Sequence, residues 1–558
     1  MGKVFGIDLG TTYSSVAYID ENEKPVVLKN SDGDLATPSV VFFETQTDVS
    51  VGSAAKENVK AHHGKVVTFI KRKIGQAGFS LNINGIDLKP EEITSYIIRK
   101  VVNDAAAYLR MGGKLAEGET VKDVVITCPA YFGVSERDAT AAAGKIAGLN
   151  VLSIINEPTA AAITYGASGA AQNKTVLVYD LGGGTFDATI INISPKEIRV
   201  VCTGGRRELG GKDWDDRLLK HLVDSFHAET GDSNIMDDIE TLQELSLSAE
   251  RAKMLLTSKD RAPLAVSYEG KRVRLEITRA KLDELTADLL EQTINITREV
   301  FEEAEKKGCR QSDVSEILLV GGSSRMPQVM RRVREAFNIE TRLFDPDEAV
   351  AKGAAIYAQR ESEYNIFLEE VSQYVGKSVE EVKQEIDEGR VNVSELARRA
   401  AVKPRKGRYL PEGEIKIVNV ASRSFGTQAY DEFNKLKLYN IIRRNSDLPS
   451  TGTDTFYPRT DNQKSVRFKI MESLSSESVI EPEAGKVIGT AELELPKGVT
   501  RNTEIEVNFR LNESGLLELR AKEAKSGKVV EASFHAIDAL TPKEMWDAIE
   551  RTNSYRVH

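Results

Sequence analysis

Apolar positions along this chain follow two regimes, and the regime changes near residue 418. Before it, short runs of consecutive apolar residues alternate with helical patterns. Residues 176–179 and 188–191 flank the stretch DLGGGTFD, Asp180 to Asp187. Two strand-like runs joined by a glycine-rich turn predict a β-hairpin. Residues 4–19, VFGIDLGTTYSSVAYI, repeat that pattern. Aligned on their aspartates, Asp8 matches Asp180, Gly10 matches Gly182 and Thr12 matches Gly184. An internal repeat of this kind predicts two similar lobes that face one cleft.

Other runs extend the α/β reading. Residues 317–320 form a buried-type strand that enters Gly321-Gly322, and Pro327 suits the first turn of a following helix. Residues 124–128 predict a strand ended by Pro129. Ser135 with Asp138 reads as a capping box for the alanine-rich helix that follows, and Gly148 sits where a C′ glycine belongs. Residues 151–155 form a strand that delivers Glu157 at its C-terminal end, where ligand chemistry in α/β folds is found. Over 241–258, Leu242, Leu245, Ala249, Ala252 and Leu256 make a buried stripe. Glu250, Lys253 and Thr257 keep the same spacing on another face: either a row that hydrogen-bonds a ribose or a solvated face with an ion pair. After residue 418 the period is two. Val466, Phe468 and Ile470 alternate, as do Ile505, Val507, Phe509 and Leu511, and turns at 512–515 and 526–527 predict an antiparallel β-domain. Residues 361–412 read as helical and charged. Their basic end, Lys403, Arg405, Lys406 and Arg408, reads as a solvated linker face in preference to a nucleic-acid contact.

The hairpin at 180–187 carries candidate chemistry. Three glycines put no Cβ between backbone N–H groups and a bulky anion. Asp180, Asp187 and Thr185 supply oxygens suited to hydrated Mg²⁺, which keeps several waters when bound. The bland alternative is an ordinary tight hairpin. At 558 residues the chain is too long for one core, and a net charge of −10 argues against nucleic acid as the main partner. No apolar run approaches the roughly 18 residues of a membrane span. The start enters a strand directly, with no signal-peptide core expected. Cys128, Cys202 and Cys309 are few, far apart and odd in number, which indicates neither a disulfide framework nor a zinc site and fits a reducing cytoplasm.

With PAYF at 129–132, AGLNV at 147–151, IINEPTAAA at 154–162, LGG at 209–211 and DPDEAVA at 345–351, the chain resembles the 70-kilodalton heat-shock chaperone family. The resemblance is close over residues 1–360 and looser over 418–540. It implies an α/β actin-like ATPase of two lobes (1–360, ribonuclease-H-like), a helical charged insertion and linker (361–417), an all-β sandwich that binds peptide (418–540) and a truncated helical tail (541–558). ATP or ADP with Mg²⁺ would lie between the lobes. Gly10, Thr11, Thr12 and Tyr13 would form one phosphate clamp, and Gly182, Gly183, Gly184 and Thr185 the other, with Gly210 and Gly211 beside it. Asp8 and Asp180 would hold the hydrated metal, with Asp187 near a K⁺ ion. Lys71 matches the family's catalytic lysine, and Glu157 would help place the attacking water. Pro129 and Arg137 match residues that relay nucleotide state to the neighbouring domain. Glu250, Lys253, Thr257, Gly321, Gly322, Ser323, Arg325 and Asp347 match the adenosine pocket.

The chain also departs from that family. Met254 stands where a stacking arginine is usual, which predicts weaker ATP binding. In the β-domain, Phe456, Val466 and Phe468 would line the peptide pocket. Thr427 replaces an apolar pocket residue, and Tyr430 and Arg459 replace the small or apolar pair that arches over the peptide. The linker reads IKIVN at 415–419 and lacks the usual acid. Thr541-Pro542-Lys543-Glu544 starts a helix with a capping box, but too few residues follow for a helical lid. The function implied is a lidless, divergent ATP-dependent chaperone that binds unfolded polypeptide, with a J-domain cochaperone and a nucleotide exchange factor as partners. The alternative is a weakly active or non-hydrolysing regulator of another chaperone.

Overall fold

The computed structural model describes residues 3–76, 78–167, 173–387, 390–391, 396, 416–512, 515–534 and 540–558. The basic residues 403–408 lie outside them.

The repeat in sequence becomes a repeat in topology. In the first lobe, β1 (Phe5–Asp8) and β2 (Tyr13–Ile19) form the first hairpin. A small separate sheet contains β3 (Asp48–Val51) beside the strand Val41–Phe43. Helix α1 (Pro90–Met111) covers both sheets; β4 (Asp123–Cys128), α2 (Val134–Ile146), β5 (Asn150–Asn156) and α3 (Glu157–Ala167) follow. The main sheet runs β5, β4, β1, β2 and then the strand Pro25–Val27. In the second lobe, β6 (Lys174–Leu181), β7 (Phe186–Ile193) and β8 (Glu197–Arg206) are antiparallel neighbours, followed by α4 (Gly211–Thr230) and α5 (Ile239–Ser258). β9 (Val314–Val320) lies parallel to β6, with the strand Thr341–Leu343 beyond it. Each sheet therefore reads two parallel neighbours, a central strand and two antiparallel neighbours. The near-continuous apolar runs follow from burial on both faces: all of residues 176–181 and 317–320 are buried.

Helix α6 (Ala349–Val375) packs on α3 and on the strands of the first lobe's main sheet, and continues through residue 360 without a break. Close packing fixes small residues here: a Cβ on Gly6 would strike the backbone of Ala354 and Ala355, and one on Gly353 would strike that of Ala160. The linker forms β10 (Lys416–Val418), which extends the second lobe's sheet parallel to β8. The β-domain is a sandwich of a five-stranded and a four-stranded antiparallel sheet. Alternating residues fill its core, including Ile505, Val507, Phe509 and Leu511 on one strand.

Two expectations need correcting. The cap of α2 is Gly133, whose N–H donates to Glu136 Oε2 at 3.1 Å; Ser135 and Asp138 do not form it. Gly148 does take the left-handed position after the helix, at φ 84°. The segment after 540 is also more than a truncated helix. α7 (Pro542–Asn553) starts with the expected Thr541–Glu544 box, and β11 (Arg556–Val557) pairs with β3 of the first lobe.

Candidate functional site

The two hairpins meet tip to tip. Thr12 of the first lies over Gly183 of the second, and Thr11 lies over Gly184, so closely that a Cβ on either glycine would occupy the threonine side chain's place. Gly10 is restricted by its own turn, where the Tyr13 carbonyl fills the space of a Cβ. Gly210 packs on the backbone of Gly184 and Thr185. Between the lobes lies a cavity of about 430 Å³.

Most of the sequence candidates line that cavity. From the first clamp come Gly10, Thr11, Thr12 and Tyr13, and from the second Gly182, Gly183 and Thr185. Glu250, Lys253, Met254 and Thr257 line it from α5, and Gly321, Gly322, Ser323, Arg325 and Asp347 from the opposite side. Gly184, Gly210 and Gly211 stand behind the wall, and Asp187 lies deeper still, 1 % exposed. Met254 is 57 % exposed at the mouth, free to pack on a planar ring.

Charged groups crowd the cavity floor. Lys71 follows Ile70 in a short 3₁₀ turn and is 4 % exposed; its Nζ donates to Glu157 Oε1 at 2.6 Å. Burial alone would lower the Lys71 pKa, but the Glu157 carboxylate outweighs it and holds the ammonium above its usual range. Asp8 ends β1 and accepts from Thr127 Oγ1 at 3.1 Å. Burial, then repulsion from Glu157, pushes Asp8 up to about 7. The same causes raise Asp180 well above the carboxylate range, and Asp187 likewise; Asp187 Oδ1 is buried with no hydrogen-bond partner. Several carboxylates against one buried ammonium leave a deficit of positive charge, which a cation would relieve. Among the described residues, no three His, Cys, Asp or Glu side chains are gathered closely enough to hold a bare metal ion. Two separated carboxylates fit a hydrated ion held through its waters.

Other polar groups already have partners. Glu250 pairs with Lys56 of the opposite lobe at 2.7 Å, a bridge across the cleft. Lys253 donates to Gly211 O at 2.9 Å and Asp215 Oδ2 at 2.8 Å. Asp215 was not foreseen; burial raises it to about 6 despite Lys253. Its only sequence signal is its place one turn after Gly211. Arg72 was also missed. Its guanidinium donates to Gly184 O at 2.8 Å and pairs with Asp213 at 2.5 Å, so the turn that carries Lys71 is tied to the second clamp.

The expected relay residues sit at the domain junction. Pro129 is buried at the end of β4, and Arg137 donates to Asn156 Oδ1 while its stem lies under Gly515 of the β-domain. Ser422 Oγ donates to Phe132 O at 2.8 Å, and Arg444 to Thr203 O at 2.7 Å. Glu472 of the β-domain reaches the start of α2, where the Val134 N–H donates to it.

The six expected peptide contacts are not brought together on one surface. Phe468 is 3 % exposed inside the sandwich core, and Thr427 is fully enclosed, donating to Lys469 O at 3.0 Å. Phe456 and Val466 pack against the same core. The pocket role is implied by the resemblance; the alternation of Val466, Phe468 and Ile470 with charged Arg467 and Lys469 turns Phe468 inward, so Phe468 is corrected to a core residue. Tyr430 and Arg459 remain outside, with the guanidinium 4.1 Å from the ring centroid.

No helix of the described residues is long and apolar enough to cross a membrane. The sequence pattern of the family described as Hsp70 protein matches residues 4–373 and 406–558. Members of that family are ATP-binding chaperones and ATPases; they bind ATP or ADP with Mg²⁺ and work with unfolded polypeptides, J-domain proteins and exchange factors. Two repeated lobes around a charged cleft, a β-sandwich docked beside them and that match along nearly the whole length make this chain a member of the Hsp70 family.

Proposed function

We propose that this protein is a chaperone that hydrolyses ATP slowly in the cleft and binds extended, unfolded polypeptide on the β-domain. The observation that supports it most is the buried Lys71–Glu157 pair, set at 2.6 Å between two glycine-rich hairpins. Phosphoryl transfer asks a protein mainly for positioning and charge stabilisation. Lys71 would neutralise charge on the terminal phosphoryl group of ATP. Glu157, held by Lys71, would accept a hydrogen bond from the attacking water. Backbone N–H groups of both clamps, with Thr12 and Thr185, would hold the phosphates. Asp8 and Asp180 would hold the hydrated Mg²⁺, which supplies charge neutralisation on phosphate oxygens when bound. Asp187, with its unpartnered oxygen, would hold K⁺. Glu250, Lys253, Thr257, Ser323, Arg325 and Asp347 would hold the adenosine, with Met254 against the base. A J-domain protein, an exchange factor and a cytoplasmic setting complete the proposal.

The β-domain favours a second reading, a regulator of another chaperone that binds nucleotide with little turnover. Thr427 is sealed and Arg459 stacks on Tyr430, which closes the expected arch. Single-turnover hydrolysis with and without an unfolded apolar peptide separates the two. Peptide-stimulated turnover that Lys71→Ala lowers by at least about 100-fold supports the chaperone. Tight ATP binding with no Lys71-dependent turnover supports the regulator.

A further inference from the structure

Residues 541–558 leave the β-domain and finish on the first lobe. α7 packs against α1 and α2 with Ala548 and Thr552 buried. Tyr555 is 5 % exposed and enters the lobe's own core, edge-on to Tyr96 at 5.7 Å and Phe43 at 6.1 Å. β11 extends the small sheet: the Arg556 N–H donates to Thr47 O, the His558 N–H to Val49 O, and the Val51 N–H to His558 O, at 2.8–3.0 Å. Arg551 pairs at 2.7 Å with Glu92, itself 2 % exposed, and Arg99 donates to Thr552 O at 2.8 Å. The bridges Lys89–Glu544 and Arg556–Asp48 lie nearer solvent and count for less.

At its other end the β-domain follows β10, a strand of the second lobe's sheet. The sandwich is thus anchored at both ends, on different lobes. We propose that residues 541–558 are a fixed strap that keeps the β-domain docked on the ATPase domain whatever nucleotide the cleft holds. The contacts between sandwich and lobes are mostly polar: Ser422 to Phe132, Arg444 to Thr203, the Thr203 N–H to Asn445, Arg199 to Asp447 and the Val134 N–H to Glu472, with the Val134 side chain as an apolar contact in the sandwich core. Contacts of that kind can open and reclose. Releasing the strap is harder, because it exposes Tyr555, takes the guanidinium from Oε1 of the buried Glu92 and unpairs a sheet edge together. With the strap in place, any opening of the interface recloses intramolecularly at high effective concentration. Signals from the cleft then reach the sandwich by shifts within one body, not by release and recapture.

The test uses the full chain. Small-angle scattering of the wild type with no nucleotide, with ADP and Mg²⁺, and with ATP and Mg²⁺ should give one radius of gyration, about 24 Å as for a single compact body. Arg551→Ala with Tyr555→Ala should raise it in at least one of these states and speed amide exchange at Val51 by at least about tenfold. His558→Pro removes one strap hydrogen bond without touching the lobe's core, and should speed Val51 in the same direction. Unchanged exchange in β4 shows that the first lobe stays folded. Expansion of the wild type in one nucleotide state, as large as the variant's, overturns the strap. So does a variant whose Val51 exchanges freely while its radius never changes. The nucleotide states rest on the proposed ATP site, so calorimetry of ADP binding accompanies the scattering. A failure to bind would undo that reading and leave the nucleotide-free comparison of wild type and variants standing.

Discussion

The two hairpins share a topology and a motif but are held by different means. In the first, Gly10 is demanded by its own turn, because the Tyr13 carbonyl occupies the Cβ position. In the second, Gly183 and Gly184 are demanded by the other lobe, through Thr12 and Thr11. One clamp shapes itself and the other is shaped by its partner. A motif read from one strand pair can report local need; interlocking across a cleft needs both lobes in place.

Substitutions can break or sharpen that contrast. The largest effect is expected at Gly10. Gly10→Ala should lower ATP turnover by at least about 100-fold, with no rescue from changes at the facing hairpin. Recovery by any substitution in residues 182–185 would break the distinction. Gly183→Ala should cost nearly as much by itself; adding Thr12→Gly removes the obstacle and should restore part of the loss in single-turnover assays, the remainder being the phosphate contact of Thr12 itself.

Glu472 extends the contrast to the domain junction, where another group is shaped by its partner. Burial raises its pKa above the usual 4.5, against the lowering pull of Arg423 and Lys486 and with the repulsion of Glu136. Because the folded value is raised, its contribution to stability is fully present below pH 4.5 and is lost as pH rises through the folded value. Glu472→Gln stays neutral throughout. Its thermal midpoint should therefore match the wild type near pH 4 and exceed it by about 2 °C at pH 8. An equal shift at both pH values would mean that charge plays no part.

The smallest effect is expected where neither hairpin is involved. Met254→Arg should tighten ATP binding by only about 3–5-fold in calorimetry, the scale of a partly exposed cation–π contact. A much larger gain would shift the weight of binding from the phosphate clamps to the adenosine wall.

The parts legible in sequence were those whose cause is local. Asp8 and Asp180 with their glycines declared both hairpins, and the buried stripe on α5 was readable from its spacing. Ser135 misled because Asp138 mimics a box that Glu136 in fact closes on Gly133, two residues earlier. Glu250 looked like a ribose ligand or a solvated residue, yet its partner Lys56 comes from the other lobe. Arg72 carried no signal beyond its neighbour Lys71. Phe468 was misplaced by the resemblance, although its alternation with Val466 and Ile470 against Arg467 and Lys469 pointed it to the core. The docking of Tyr555 was invisible for the same reason as Lys56: its partners, Phe43 and Tyr96, lie hundreds of residues away.

That distance bears on how the protein is made. Arg551 and Glu92 are 459 positions apart, and β11 completes a sheet begun at Val41. During synthesis the first lobe is among the earliest parts to emerge, yet its small sheet keeps an open edge until residues 556–557 leave the ribosome. Non-local pairing of this kind is slow, and an unpaired edge is a site for wrong partners. The first lobe must therefore survive with part of its surface unfinished while the rest of the chain is translated.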